Sequence, residues 1–215
     1  MLGRRHYRDP CPIARALDLV GERWALLIVR ELLPGPKRFT DLRAGLEGVS
    51  PNVLAQRLEE LAAGGVIEHR LLPPPAASQV YELTSWGREL EPILLALAHF
   101  GRRCPPVEDA QPPSPTSVIL QLQAGFRPEV AGGIKARISL KLGAETFNFR
   151  ITKKELRPLA AETTDLDLVL ETKPEVMLAI LSGQQALDDA LAKEQTHIRG
   201  DAELARTFLR LFRLP

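Results

Sequence analysis

The chain has 215 residues, 45% hydrophobic and 26% charged, and its 28 basic and 27 acidic side chains leave a net charge of +1. That composition excludes a wholly disordered chain and a collagen-like repeat, and no apolar run of about 18 residues is present to span a membrane as a helix. Charge this close to balance cannot decide for or against nucleic-acid binding, which must rest on motif and geometry.

The first ten residues carry Arg4, Arg5 and Arg8 but lead into no apolar stretch of the secretory kind, so a cytoplasmic protein is expected. Cys11 and Cys104 are too few for a disulfide framework or a four-thiolate zinc site, and both are read as reduced thiols. Ile13 to Val20 reads as a helix entered through Pro12 and closed by Gly21. Glu22 to Leu33 reads as a second, stopped by Pro34-Gly35-Pro36, with Trp24, Leu27, Ile28 and Leu32 on one buried stripe. Thr40 is the expected N-cap of a short third helix ending near Gly45. Ser50 caps a fourth, with Pro51 at its first position and Gly64-Gly65 at its end.

In that fourth helix Leu54, Leu58 and Leu61 recur at i, i+4, i+7 and face inward. Asn52, Gln56 and Glu59 then fall on the opposite face, flanked by Val53 and Arg57. Asn and Gln make paired hydrogen bonds to adenine, Arg does so to guanine, and Val touches a thymine methyl, so this face suits a major groove. A plain solvated helix face has the same composition. Val66 to Leu72 and Gln79 to Thr84 follow as a hairpin with the tip Pro73-Pro74-Pro75-Ala76-Ala77-Ser78, and Thr84 caps a last helix through Phe100. Leu90, Ile93, Leu94 and Leu97 form its stripe, and Pro92 should bend it or end its first turns. Helix, turn, helix and hairpin is the layout of a winged helix-turn-helix.

These residues resemble the HxlR-type winged helix-turn-helix regulators, relatives of the MarR type. The likeness is carried by Cys11-Pro12, Ala16 to Gly21, Arg23-Trp24, Leu27-Ile28, Phe39 to Leu42, Ser50 to Leu54, Arg57-Leu58 and Leu61. Gly65-Val66-Ile67, Tyr81 to Thr84 and Gly87 to Leu90 continue it in order, so it covers residues 11 to 101. The resemblance implies a DNA-binding homodimer in which Ser50 to Ala62 is the recognition helix and the terminal helices of this half make the dimer contact. Arg38, Thr40, Ser50, Pro51, Asn52, Val53, Gln56, Arg57 and Arg70 are the expected DNA contacts. The wing tip departs from the family, where Arg or Lys is usual, because it carries no charge. Cys11 matches a position used as a thiol sensor in some members, and Arg8 and Arg15 flank it; an inert structural thiol is the alternative.

Residues 102 to 117 contain five prolines and read as an extended linker between a first domain at 1–101 and a second at 118–215. Beyond it, Ile134, Ala136, Ile138, Leu140 and Leu142 alternate with polar residues, as do Phe147, Phe149 and Ile151, so an antiparallel hairpin is expected. Leu166, Leu168 and Leu170 supply a third strand. Lys173 to Leu181 and Ala186 to Ala192 read as helices, Thr196 to Arg199 as a strand and Ala202 to Phe212 as a final helix. The whole is therefore an α+β chain whose second half is an antiparallel sheet covered by helices.

The strand pair, Asp167-Leu168-Val169-Leu170, Gly183 and Ile198-Arg199-Gly200-Asp201 before a last helix look like the sterol-carrier-protein type 2 domain. That resemblance implies a cavity for an apolar molecule, lined by Phe147, Phe149, Leu168, Met177, Leu181, Phe208 and Phe212; a dry core built from the same residues is the alternative. None of the familiar catalytic or metal-binding motifs occurs, and neither an enzyme nor a cofactor is expected. The reading is a dimeric regulator, a repressor, that binds operator DNA and responds to an apolar ligand. A lipid or sterol carrier using its first half to dimerise is the rival, and an interaction scaffold a third option.

Overall fold

The computed structural model describes residues 6–73, 78–105, 107–153, 155–160 and 163–212. Arg4, Arg5 and the wing-tip residues 74–77, named above, lie outside the described residues. The chain divides into two compact units, residues 1–94 and 95–215.

In the first unit α1 (Pro12–Val20) starts with Pro at its first turn and stops at Gly21, whose N–H reaches the Leu17 carbonyl at 2.8 Å. Trp24 takes a left-handed backbone, φ 79°, so α2 (Ala25–Leu32) begins three residues later than the apolar spacing suggests. That start turns the buried stripe to Ala25, Ile28, Val29 and Leu32, and it leaves Leu27 exposed instead of buried. α3 (Phe39–Gly45) is capped at Arg38, whose backbone N–H donates to the Asp41 carboxylate at 3.2 Å. Thr40 is therefore inside this helix and not its cap. α4 (Pro51–Ala63) is as the sequence suggests: the Ser50 hydroxyl accepts from the Val53 N–H at 3.3 Å, and Leu54, Leu58 and Leu61 are buried.

β1 (Ile67–Leu71) and β2 (Gln79–Leu83) pair antiparallel, with Ile67 opposite Leu83 and His69 opposite Tyr81. Lys37 adds a bridge to β2 through two backbone hydrogen bonds with Tyr81, 3.0 and 2.8 Å long. The expected single last helix is two, α5 (Ser85–Arg88), capped by the Thr84 hydroxyl, and α6 (Glu91–Gly101). Pro92 has no N–H for the carbonyl four residues back, so the first helix cannot run through it.

The second unit contains a helix absent from the sequence reading, α7 (Pro115–Gly125), capped by the Ser114 hydroxyl on the Ser117 N–H at 3.1 Å. The last proline of the presumed linker is thus the first residue of a helix, where proline's fixed φ is favourable. The strands are β3 (Ala136–Leu142), β4 (Glu145–Ile151), β5 (Leu156–Pro158), β6 (Leu168–Thr172) and β7 (Thr196–Gly200), in the order β5-β4-β3-β6-β7. The β3–β4 hairpin is present, with Ile138 opposite Phe149, and β7 is antiparallel to β6. β3 and β6 run parallel, so the sheet is mixed: the chain leaves β4 through β5 and crosses back to β3's other side. α8 (Pro174–Leu181), α9 (Leu187–Ala192) and α10 (Ala202–Arg210) complete the unit. Ile138, Leu140, Phe149, Leu168, Leu170, Met177 and Phe208 belong to one continuous buried apolar cluster.

Candidate nucleic-acid interface

α4 is held by its three leucines, and that anchoring decides what it shows to solvent. Pro51, Asn52, Val53, Gln56 and Glu59 are exposed on it. The Gln56 amide donates to the Glu60 carboxylate at 2.9 Å, an i, i+4 contact that holds the side chain along the helix. Arg57, which the sequence placed beside this face, is only 15% exposed, ion-paired to Glu60 and 3.8 Å from Glu22. Its guanidinium ties α4 to the turn before α2.

Around this helix stand the other predicted contacts. Arg38 is exposed and donates through Nε to the Ser78 hydroxyl at 3.1 Å, joining the start of α3 to the base of the wing. The Thr40 hydroxyl is exposed and donates to Asp41 at 3.2 Å. Arg70 is exposed on β1 but paired with Glu82 at 3.0 Å, a carboxylate that Arg88 also approaches at 3.5 Å. The Tyr81 ring packs edge-on against His69, and burial, then the Glu59 carboxylate, pushes its phenol above the ordinary value.

Sequence reasoning missed the group beneath this surface. Glu31 is fully buried in α2, with Arg30 at 2.8 Å and the buried Lys37 at 3.1 Å. A Cβ on Gly45 would sit 2.6 Å from the Glu31 carboxylate, so only glycine lets α3 approach this closely. The signal was an acidic residue inside the apolar stripe of α2, which buried charge tolerates only with partners nearby.

Cys11 and Cys104 are both free and exposed; Cys11 stands at the N-cap of α1, its N–H bonded to Asp9 at 2.9 Å. An exposed thiol departs from the buried structural one that was the alternative to a sensor. The first unit also has a cleft of about 580 Å³, lined among others by Pro12, Ala16, Leu19, Trp86, Leu90 and Ile93. Ile13, Leu17, Trp86 and Ile93 are exposed apolar side chains of α1, α5 and α6. In the second unit Phe147, Phe149, Leu168, Met177, Leu181, Phe208 and Phe212 are all buried in the one apolar cluster. Among the described residues no helix is long and apolar enough to cross a membrane.

Comparison with known proteins agrees with this geometry. The model of the HxlR-like helix-turn-helix family matches residues 19–108, and that of the SCP-2 sterol transfer family matches residues 120–213. The uncharacterized HTH-type transcriptional regulator YvaP of Bacillus subtilis is 40% identical over 87 residues, 40% of this chain and 81% of its own length. Regulator sll1512 of Synechocystis, likewise described as an uncharacterized HTH-type transcriptional regulator, is 36% identical over 91 residues, 42% of this chain and 67% of its own. Among solved structures the redox regulator HypR in its oxidized form aligns with 45% of this chain and all of its own, at 30% identity and a TM-score of 0.42. Since YvaP is 40% identical and 81% of it is covered, the chain belongs to the HxlR-like helix-turn-helix family of transcriptional regulators, and the SCP-2 sterol transfer family model matches its second half.

Proposed function

We propose that two copies of this chain bind a pseudo-palindromic operator through α4 and act as a cytoplasmic repressor. The observation that carries this reading is the exposed row Asn52, Val53 and Gln56 on a helix fixed from behind by Leu54, Leu58 and Leu61. Side chains of these types read base edges, and a helix locked by packing presents them in one geometry. In this reading the exposed Arg38 and Thr40 hold phosphates, while Arg57 orients the helix by its pairing with Glu22. The exposed apolar side chains of α1, α5 and α6 suit coverage by the second copy. Footprinting is the test: protection of two half-sites about 34 Å or a multiple apart supports the reading. Failure to protect any genomic fragment, its own promoter region included, would remove it.

The second half, in this proposal, takes an apolar ligand between its sheet and helices, with Phe147, Phe149, Leu168, Met177, Leu181, Phe208 and Phe212 around it. A ligand changes operator affinity only if it binds two states of the protein unequally, so its effect must appear as a shift in DNA affinity. Mass spectrometry of the extracted native protein tests for a co-purified lipid. Lipid found without any DNA binding would favour the carrier reading, which the SCP-2 match supports. Cys11, exposed at the start of α1, is proposed as a thiol sensor in the same regulator.

A further inference from the structure

The outer face of the second unit's sheet carries a row of cations in register. Arg137 on β3 lies directly opposite Arg150 on β4, and Arg150 lies opposite Arg157 on β5. Residues opposite one another share a face, and this face is the one turned away from Ile138, Leu140 and Phe149, their buried neighbours in alternation. Ser139 and Asn148, next on this face, are buried, so it is open at the arginine end; beyond them Lys141 pairs with Glu171 at 3.7 Å, and Arg199 lies opposite Val169. With strands about 4.8 Å apart, the three guanidinium groups span about 10 Å.

Like charges placed directly across strands are destabilising. Part of that cost is offset nearby, since Arg137 pairs with Asp165 and Arg157 lies 3.3 Å from Glu155. Both pairs are solvent-exposed, the Arg157 side chain at 67%, and such pairs are readily exchanged for another anion. Arg150, in the middle and exposed, forms no ion pair among the described residues. A row of forked planar donors with an unpaired centre matches phosphate oxygens better than any group in the unit itself.

We infer that this face binds the phosphate backbone of duplex DNA through sequence-independent contacts. The inference rests on the operator-binding reading above. Charge supply in the first unit favours it, because Arg57 is held by Glu60 and Glu22, and Arg70 and Arg88 share Glu82. Surface composition favours DNA over a membrane: no large hydrophobic side chain of β3 to β7 is exposed, and interfacial binding needs apolar groups to enter the lipid.

The test uses the full chain. R137Q/R150Q/R157Q is compared with wild type for operator and unrelated duplexes across a salt series, with melting followed by circular dichroism. The variant should keep its melting temperature, bind both duplexes more than about a hundredfold more weakly at 0.1 M salt, and lose about 5 from the magnitude of the log–log salt slope, three contacts in each of two copies. Its preference for operator over unrelated DNA should be unchanged, because phosphate contacts carry no sequence. Should the triple variant fail to fold, Arg150→Gln alone should still flatten the slope by about 2, one contact in each copy. Equal slopes for wild type and the variants overturn the inference while leaving the operator reading intact. Loss of binding to phosphatidylserine vesicles with DNA binding unchanged assigns the face to a membrane and overturns it too. A wild type that binds no DNA at all removes the operator reading and this one with it.

Discussion

The Lys37 ammonium lies 3.1 Å from the Glu31 carboxylate, both side chains buried, while the Lys37 backbone pairs with Tyr81 of the wing. One residue thus joins α2 to β2 by charge and by main chain together. A buried charge left wholly alone costs about 3–5 kcal/mol, but Arg30 still pairs with Glu31 at 2.8 Å, so the loss of Lys37 should cost about 1–3 kcal/mol. Lys37→Met should destabilise the first unit by about that amount, and Glu31→Leu added to it should restore more than half. Urea unfolding read by tryptophan fluorescence checks this, since Trp24 and Trp86, the two tryptophans of the chain, both lie in the first unit. Equal midpoints for the single and double variants would contradict the account.

Asn52→Ala with Gln56→Ala should leave helix content and melting unchanged, as both side chains are exposed. Operator affinity should fall, by about 1–3 kcal/mol for each base pair no longer read. Binding to unrelated DNA should stay where it was. Arg57→Ala should behave differently, lowering stability as well as affinity, because its guanidinium braces α4 against Glu22. Parallel melting curves and gel-shift titrations separate the two classes.

The wing sequence from Pro73 to Ser78 has no charge, and Arg70 at its base is already paired with Glu82. Each phosphate contact contributes about −0.9 to the slope of log K against log salt. With two copies bound as proposed, the wild type should therefore show a slope no steeper than about −8, and a steeper one would falsify the picture of a weakly electrostatic reader.

Cys11→Ser should leave reduced-state DNA binding unchanged and remove any loss of binding caused by hydrogen peroxide or an electrophile. The exposed thiol is open to such reagents in the wild type. A wild type whose DNA binding is indifferent to oxidant would make Cys11 a structural thiol and nothing more.

How far the sequence spoke depends on whether each signal was local. α4 was legible to the residue because Ser50, Pro51 and the three leucines all act within one helix. The strands of the wing were legible as two β-prone runs with the proline tip between them. The pairing of Arg57 with Glu22 was not legible because Glu22 is remote in sequence, and a helical wheel cannot see a neighbour outside its own helix. Leu27 was misplaced because the left-handed Trp24 resets the helix phase, and no periodicity announces a strained φ. α7 was missed since Ser114 and Pro115, a good cap and first residue, sit among prolines that suggest extended chain. The seven apolar residues assigned to a ligand site were correctly placed inside, since burial follows from pattern.

The parallel pairing of β3 with β6 bears on how the molecule assembles. Ile138 meets Leu168 only after the intervening chain has run out through β4 and β5 and returned, so the middle of the sheet closes a loop of about thirty residues. The first unit needs no parallel closure, and its Lys37–Tyr81 bridge joins residues nearer in sequence than the Phe126–Phe212 bridge of the second. Proteins dominated by distant pairings fold more slowly than those built from near ones. The two halves should accordingly acquire structure at separate rates, the tryptophan-bearing half first. During synthesis, the part that reads DNA would then be ready while the part proposed to take the ligand is still searching for its sheet order.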